Sequence, residues 1–508
     1  MIDIKHRSVL ALFALFLLPA SMFAQNLETF EENVTEFTLD NGLHFIIIER
    51  PVAPVASFVT FVDVGGVDEP IGNTGIAHIF EHMAFKGTHE IGTTNWEEES
   101  RLIEQVDDAY KAWLDEKYSS DPDQDKLDEL WEAFITLQDQ SKEYVVGNEF
   151  TQIIEQNGGT GLNAFTSADA TAYFYSLPQN RAELWFSLES DRFLNPVFRE
   201  FYVEKDVIFE ERRMRTDSSP VGRLVEEFLS VAFSAHPYGR PVIGWPSDIE
   251  TTTIEDTREF YDTYYSPSNL SIAIAGDVDP DRMRELAETY FGRMPAGEPA
   301  PDLMTQEIDQ RGERRFIIEE ESQPFFLSGY RGVSQEHPDY AALQLVGSII
   351  SSGRTSRLYQ TLVEEEQLAI AVQAFNGFPG TKYPGLFLTL AVPNQEVALE
   401  DIENAINEEF EKVKNGDITQ EELDRALTNA RANQVRSLNS NAGLALGFAQ
   451  AQAQQGDWRN VFTSLDDLQQ VTLEDLQRVA QTYFVENNRT VGMIKNKSAD
   501  EVAEASNE

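Results

Sequence analysis

Two distant segments of this 508-residue chain have similar sequences. Residues 253–265 read TIEDTREFYDTYY and residues 472–484 read TLEDLQRVAQTYF. An asparagine follows each within a few positions, at Asn269 and Asn488, and an apolar, strand-like stretch comes next. This repeat of a helix and then a strand predicts that one α+β unit has been duplicated. Chance similarity between two amphipathic helices is the alternative.

The length supports more than one domain, because a single hydrophobic core rarely serves more than about 300 residues. The stretch MPAGEPAP at 294–301 is rich in Pro, Gly and Ala and predicts a linker. We therefore predict an α+β fold of two homologous domains, each an antiparallel-rich sheet packed with helices. The predicted divisions are a signal peptide at 1–24, an N-terminal domain at 25–293, a linker at 294–312, a C-terminal domain at 313–497 and an acidic tail at 498–508.

Local signals place the first elements. Asp40-Asn41-Gly42 between two apolar runs predicts a β-hairpin. Residues 55–64 predict another strand, and residues 76–85 predict a helix that is capped by Asn73 or Thr74 and stopped by Gly87. Apolar residues at helical spacing over about 96–144, interrupted at 119–123, predict a helical hairpin.

The composition excludes some classes of function. The chain has 87 acidic and 39 basic side chains, a formal net charge of −48, so binding to nucleic-acid phosphates is disfavoured. We interpret the acidity as a means of solubility, with a trap for basic substrates as the alternative. The chain has no cysteine, which excludes disulfides, thiolate metal sites and cysteine nucleophiles.

The N-terminus has the pattern of an export signal. Lys5, His6 and Arg7 precede an apolar run at 9–18, and Ala24 offers a cleavage point. The run is shorter than the roughly 20 residues that span a bilayer, so an uncleaved anchor is the less favoured reading. We predict an exported protein, periplasmic or secreted in a bacterium, without a stable membrane anchor.

The segment His78-Ile79-Phe80-Glu81-His82 carries the strongest chemical signal. Residues four apart on a helix share one face, so His78 and His82 can bind one metal ion, with Glu81 near that face. An ordinary polar helix surface is the alternative, but apolar neighbours predict that this helix is largely buried. Burying two histidines and a carboxylate without partners costs several kcal/mol, and a bound metal resolves that cost.

His-x-x-Glu-His is the signature of inverted zincins. With Gly75-Ile76-Ala77 before it and MAFKGT at 83–88 after it, the segment resembles the pitrilysin/insulinase family, in the branch of the mitochondrial processing peptidases and short bacterial peptidases. The resemblance implies a catalytic N-terminal domain, a non-catalytic C-terminal domain, and a chain that forms half of a clam-shell chamber. It also implies one Zn²⁺ per chain and endopeptidase hydrolysis of unstructured peptides, with Glu81 as the general base.

The resemblance further implies a third zinc ligand on a later helix, with a supporting glutamate seven residues before it. Glu211 and Glu204 match these two positions, and Glu210 is the rival ligand. The gap between His82 and Glu211 is longer than is usual for the family. We attribute the excess to the helical hairpin at 96–144, interpreted as an insertion.

Residues 158–173 are similar to the family's edge strand beside the metal. The resemblance implies that Asn163, Ala164, Phe165 and Thr166 bind the substrate peptide, which adds to the sheet as an extra strand. A plain sheet strand is the alternative reading.

The second half of the chain has no His-x-x-Glu-His. Active relatives often carry an Arg and a Tyr seven apart in this half, and the matching positions here are Val363 and Ile370. The chain also holds about half of the domains that the family's chamber needs. We therefore expect a dimer, with a related chain that lacks the zinc motif but has the Arg and Tyr as the favoured partner.

Two other functions compete with a peptidase. A non-catalytic scaffold or assembly subunit of the same family needs no metal, so a metal assay separates it from an enzyme. A metal-storage protein uses the same ligands without needing Glu81 as a base, so Glu81→Gln leaves its function intact.

Overall fold

The structure is a computed structural model that describes residues 30–497. The predicted signal peptide and acidic tail lie outside the described residues. Within that range the chain forms two sheets covered by helices, one in each half of the sequence. The predicted α+β class with two homologous domains is confirmed.

The two sheets share a five-strand topology, and the first has one more strand, β1, at its edge. The first sheet contains β1 Val34–Thr38, β2 His44–Glu49, β3 Val55–Val62, β4 Thr160–Thr166, β5 Thr171–Pro178 and β6 Leu270–Gly276. The second contains β7 Arg314–Glu320, β8 Phe325–Arg331, β9 Ala369–Phe378, β10 Leu386–Pro393 and β11 Arg489–Asn496. The strand orders are β1-β2-β6-β3-β5-β4 and β7-β11-β8-β10-β9. In each sheet the final strand of that half pairs parallel with one neighbour (β2 with β6, β7 with β11) and the other pairs are antiparallel.

The helices follow in chain order. Those of the first half are α1 Ile76–Met83, α2 Trp96–Lys117, α3 Gln124–Lys142, α4 Glu149–Gln156, α5 Ala182–Leu194, α6 Phe201–Arg212, α7 Pro220–Ala232, α8 Pro246–Thr251, α9 Ile254–Tyr264 and α10 Pro280–Tyr290. Those of the second half are α11 Tyr340–Ser351, α12 Leu399–Lys414, α13 Gln420–Ser437, α14 Asn441–Gln455, α15 Asn460–Gln470 and α16 Leu473–Tyr483.

The repeated segments have the same local structure. Thr253 and Asp256 form a capping box at the start of α9, and Thr472 and Asp475 do the same for α16. The Asn269 side chain donates to the carbonyl of Tyr264 and that of Asn488 to the carbonyl of Tyr483, the last residue of the helix in each case. With the shared strand order, this equivalence favours duplication over chance similarity.

The two halves exchange corresponding helices. From the second half, α14 packs on the first sheet, where Leu444 and Phe448 meet Ile46, Val59 and Phe61. From the first half, α7 packs on the second sheet and places Leu224 and Phe228 against Leu327, Leu388 and Ile494. Each sheet is therefore buried on both faces, which explains the nearly continuous apolar runs of its central strands.

The exchange means that a boundary along the sequence does not separate the halves in space. The segment after Met294 has no regular structure up to β7, and it is attached to the end of α7. There the Glu307 carboxylate accepts the backbone N–H groups of Ser234, Ala235 and His236. A helix inside the predicted N-terminal domain thus belongs to the core around the second sheet.

Several local elements agree with the sequence patterns. The Asn41-Gly42 hairpin joins β1 and β2, and Gly42 has the positive φ of 94° that such a turn requires. Helices α2 and α3 form the helical hairpin over 96–142. No helix within residues 30–497 combines the length and apolar character of a membrane-spanning segment.

The predicted cap of α1 was wrong. The N-cap residue is Gly75, with a φ of 89°, rather than Asn73 or Thr74. The buried Glu69 carboxylate instead accepts the backbone N–H groups of Gly75 (2.9 Å) and Ala77 (3.0 Å). Thr74 turns away and donates its hydroxyl to Asp248. The cap thus comes from outside the helix and its flanks, where the local pattern gives no signal.

This buried cap predicts a pH-dependent stability. Burial raises the pKa of Glu69 from about 4.5 to about 8, and it raises the pKa of Asp68 to about 7. The folded state therefore favours the protonated acid, so the stabilisation is complete below pH 4.5 and is lost as the pH rises towards 8. For Glu69 the loss between pH 6 and pH 8 is about 2 kcal/mol.

The test compares the free energy of unfolding at pH 6 and at pH 8, in a metal-free buffer, for the wild type and for Glu69→Gln. We expect a smaller difference between the two pH values in Glu69→Gln, because glutamine does not titrate. A difference in the free energy of unfolding that is the same at both pH values does not affect this comparison. Equal pH dependence in both proteins would contradict the prediction.

Candidate metal centre and active site

Helix α1 presents two imidazole rings on one face. The rings of His78 and His82 lie 4.8 Å apart, nearly perpendicular to each other. The apolar residues Ile76, Ile79 and Phe80 fix the helix in the core of the first half. Because His78 and His82 are four residues apart on this helix, they form a fixed pair of nitrogen donors at the edge of that core.

Helix α6 brings a carboxylate to this pair, and that carboxylate is Glu211. Its Oε1 lies 3.7 Å from Nε2 of His78, and its Oε2 lies 3.7 Å from Nε2 of His82. Glu210 points the other way: its side chain is 63% exposed and is paired with Arg213. Of the two candidates from the sequence, the fold therefore places Glu211 beside the histidines.

The donor set fits a zinc ion. One donor atom from each of His78, His82 and Glu211 lies within 4.8 Å of the others, and within residues 30–497 no other group of His, Asp and Glu donors meets this condition. Zinc bonds of about 2.1 Å in a tetrahedron place ligand atoms about 3.4 Å apart, close to the two 3.7 Å separations. Burial lowers the pKa of His78 to about 3, which keeps its ring neutral and its lone pair available.

A second carboxylate on α6 orients His82. Oε2 of Glu204 lies 3.2 Å from Nδ1 of His82, so Nδ1 donates and Nε2 is left to face Glu211. Lys86 donates to Glu204 at 2.6 Å and to Glu200 at 2.9 Å. Burial alone raises the pKa of Glu204, but the hydrogen bonds from His82 and Lys86 outweigh it and leave this pKa below its ordinary value.

Glu81 lies beside the three donors with a single strong hydrogen bond. The hydroxyl of Thr166, the last residue of β4, donates to Oε2 of Glu81 at 2.6 Å. Burial raises the pKa of Glu81 above its ordinary value, which makes this carboxylate a better proton acceptor. The resemblance implies that Thr166 lies in the substrate strand, but nothing in the sequence indicates its contact with Glu81.

The predicted substrate strand lies at the edge of the first sheet. β4 pairs with β5, and its other backbone edge meets no strand in the described part of the chain. Asn163 and Ala164 border a cavity of about 270 Å³ that also touches Glu81 and His82. Phe165 and Thr166 are partly buried further along the strand. The four predicted residues thus share one edge strand next to the donors.

Two residues around the centre, Arg215 and Lys86, were not predicted from the sequence. Arg215 follows Glu211 by one turn, and its guanidinium forms an ion pair with Oε1 of Glu211 at 2.6 Å from the solvent side. Lys86 lies in the MAFKGT flank, and this position next to the histidines could have indicated that it belongs to the site. Arg215 had no such signal, because basic residues near acidic ones are ordinary on a helix.

The second half has the same scaffold without these donors. Helix α11 and strand β9 border a cavity of about 1540 Å³ in the second half, and the helix presents Gln344, Ser348 and Ser351 to it. Val363 packs against the core of this half, and Ile370 is 58% exposed on β9. Among the described residues, this half offers no metal site comparable to that of the first half.

Two family descriptions match successive parts of the chain. Residues 44–142 and 129–245 match the family described as Insulinase (Peptidase family M16). Residues 251–430 match the family described as Peptidase M16 inactive domain. All three donors and Glu81 lie in the first match.

Known relatives agree with the family matches. Zinc protease PqqE of Helicobacter pylori is 30% identical over 508 residues, which cover 97% of this chain and all of the relative. An uncharacterized zinc protease of Mycobacterium leprae is 25% identical over 88% of each chain. These names support a peptidase that uses zinc.

Solved structures share the fold. A protease from Helicobacter pylori superposes with a TM-score of 0.76 at 26% identity and covers 91% of this chain and 99% of that one. The periplasmic protease PqqL from Escherichia coli superposes with a TM-score of 0.67 at 18% identity, over 93% of this chain but 48% of that one. The sequence and structure relationships together show that this chain belongs to peptidase family M16, the insulinase family.

Proposed function

We propose that the chain is a zinc-dependent endopeptidase that hydrolyses unstructured peptides and small polypeptides. The observation that carries the proposal is the convergence of His78, His82 and Glu211 beside Glu81, next to an edge strand. A scaffold protein has no use for this arrangement. A metal-storage site has no use for a partly buried glutamate held by a hydroxyl beside the metal donors.

In this proposal Nε2 of His78, Nε2 of His82 and the carboxylate of Glu211 hold one Zn²⁺. When bound, the ion supplies Lewis-acid chemistry, which acidifies water and polarises a peptide carbonyl. Glu204 keeps Nδ1 of His82 protonated and therefore keeps Nε2 turned towards the site. Arg215 contributes by holding one oxygen of Glu211.

Glu81 is the proton carrier in this mechanism. Its carboxylate accepts a proton from the attacking water and later gives it to the amine of the departing peptide. The hydroxyl of Thr166 fixes Oε2, which leaves Oε1 for the water. Burial raises the pKa of Glu81 above its ordinary value, which makes its carboxylate a better acceptor for the proton of the water.

The substrate binds by extending the first sheet. A peptide alongside Asn163–Thr166 pairs its main chain with the free edge of β4, which passes directly beside Glu81. Main-chain pairing requires an extended peptide, so a folded protein must first unfold locally. We therefore propose unstructured peptides as the substrates.

A peptide-library digest read by mass spectrometry tests the activity. We expect internal cleavage of unstructured peptides, loss of cleavage after chelation, and recovery when Zn²⁺ is restored. The absence of zinc from the purified protein, together with no cleavage under any condition, would favour the non-catalytic scaffold.

We also propose that the active form is a dimer, in which a related chain supplies the Arg and Tyr absent at Val363 and Ile370. The chain covers about half of the Escherichia coli PqqL structure, so a fold of this kind also occurs at twice this size within one chain. An exported, periplasmic or secreted location fits the N-terminal signal pattern and that periplasmic neighbour.

Size-exclusion chromatography coupled to an activity assay tests the assembly. We expect the purified chain alone to have low activity, which rises when a partner chain with the Arg and Tyr is added and the two elute together. A fully active monomer would end the dimer proposal. A fully active homodimer would remove the need for a different partner chain.

A further inference from the structure

The turn that follows the substrate strand is held from two sides. β4 ends at Thr166, and the turn at 167–170 leads into β5, closed by hydrogen bonds between Ser167 and Ala170. On one side, the backbone N–H groups of Gly66 and Val67 donate to the carbonyls of Ser167 and Ala168. This contact leaves no room for a side chain at Gly65, where a Cβ would lie 2.5 Å from the Ser167 oxygen.

The second half of the chain holds the other side of the turn. The loop between β9 and β10 directs the backbone N–H groups of Thr381 (2.7 Å) and Lys382 (3.0 Å) at Oδ2 of Asp169. Oδ1 of Asp169 accepts the hydroxyl of Tyr238 at 2.6 Å. Asp169 is 5% exposed, so this carboxylate is buried and fully hydrogen-bonded at the junction of the halves.

Two further contacts fix the loop in place. Nζ of Lys382 pairs with Oδ2 of Asp63 at 2.8 Å, just after β3. Gly380 passes so close that a Cβ there would lie 2.3 Å from Oδ2 of Asp169 and 2.6 Å from the Tyr238 hydroxyl. The loop therefore fits the turn closely, and even one added methyl group must displace it.

Two residues, Ser167 and Ala168, separate this anchor from Thr166, which contacts Glu81. Asp169 fixes the turn, the turn fixes the end of β4, and Thr166 at that end donates its hydroxyl to Glu81. The carboxylate of Glu81 has few other constraints, since the hydroxyl of Thr166 is its one hydrogen-bond partner among the described residues. A shift of the turn by a fraction of an ångström thus reaches the proposed general base directly.

We propose that the β9–β10 loop of the second half positions the catalytic base of the first half, through Asp169 and Thr166. Asp169, Gly380 and Lys382 are positioning residues in this scheme. The inference rests on the proposed role of Glu81 and gives the second half, which lacks metal donors, a part in the chemistry. The second half does more than enclose the substrate.

A double-mutant cycle tests the connection. The full-length chain, in the assembly in which it is active, is assayed with a quenched-fluorescence peptide taken from the library digest. We expect Thr166→Val to lower kcat about tenfold because it removes the hydroxyl, and Thr166→Ser to restore it. We expect Asp169→Asn to lower kcat by a similar factor, with the zinc content unchanged.

The decisive result is the double variant. If Asp169 acts through Thr166, the combination of Asp169→Asn and Thr166→Val lowers kcat about tenfold, no more than either change alone. A loss near one hundredfold means that the two residues act independently and overturns the proposal. Gly380→Ala displaces the same loop from the second half and is the alternative if Asp169→Asn does not fold. It is expected to give the same non-additive pattern with Thr166→Val.

Glu307→Gln is the matched control. Its carboxylate also joins the linker to the first half by accepting backbone N–H groups, but none of these hydrogen bonds involves the turn at 167–170 or β4. We expect it to lower the unfolding temperature and to leave kcat unchanged. An equal loss of kcat in Glu307→Gln would show that general loosening of the junction, rather than this loop, is responsible.

The outcomes also separate this inference from the proposed function. If Glu81→Gln retains turnover, the proposed general base is wrong, and the positioning role of the β9–β10 loop fails with it. If Glu81→Gln is inactive while the cycle is additive, the peptidase proposal stands and only the positioning role fails.

Discussion

Replacing Glu81 with Gln is expected to lower kcat for peptide hydrolysis by about a thousandfold, the range attributed to a positioned acid–base group. The amide of glutamine keeps the size of the side chain and can still accept the Thr166 hydroxyl. It cannot accept a proton from water. Because His78, His82 and Glu211 are untouched, zinc binding is expected to persist at one ion per chain.

The measurement pairs steady-state kinetics with metal analysis of the same preparation. Zinc retained with turnover lost identifies Glu81 as a participant in the reaction rather than a support for the metal. Turnover close to that of the wild type would contradict the mechanism. Loss of both zinc and turnover would mean that Glu81 contributes to the metal site, and a different base would then be needed.

The second large effect is expected at Glu211, with its neighbour Glu210 as the control. Glu211→Ala removes one of the three converging donors, and the two histidines alone form an incomplete site. Residues that hydrogen-bond to zinc ligands typically contribute ten- to a hundredfold to metal affinity. A ligand itself is therefore expected to contribute more than about a hundredfold. Peptidase activity is expected to fall with the metal content.

Glu210→Ala is expected to keep both zinc and activity, because this side chain is exposed and contacts Arg213. The two variants remove the same group from adjacent positions, so their net charges are equal. Competition with a fluorescent zinc chelator measures the affinity of each. The reverse pattern, with zinc lost in Glu210→Ala alone, would assign the ligand to Glu210 and contradict the geometry described for α6.

The exchanged helices give the two halves a common folding unit. Phe448 of the second half lies in the core above the first sheet, and Phe228 of the first half lies in the core above the second. Neither sheet can cover its second face without the other half. The residues that contact Glu81 therefore depend on the integrity of both halves, in addition to the specific anchor at Asp169.

Some of the site was readable from the sequence because it is local. His78, Glu81 and His82 lie within five residues, and helix geometry alone places the two imidazoles on one face. The duplication was readable because a repeated segment keeps its capping residues and its asparagine. The matching contacts of Asn269 and Asn488 follow from that repeat.

Other features depended on distant parts of the chain. Glu210 and Glu211 are adjacent acids, and the difference between them is a rotation of about 100° around α6, which the packing of that helix against α1 decides. The cap of α1 comes from Glu69 rather than from Asn73 or Thr74, because a buried loop turns its carboxylate towards the helix end. The periodicity of α7 predicts an apolar face but does not say which sheet receives it.

By itself the sequence determined the helix that carries the two histidines, the duplicated unit and the family. These features are set by local backbone preferences, side-chain spacing and repeated motifs. Only the tertiary structure decided which glutamate meets the histidines, that Thr166 holds Glu81, and that a loop of the second half holds the turn beside Thr166. These contacts join residues 85 to 213 positions apart in the chain, and they form only when burial of the two shared cores fixes the elements relative to one another.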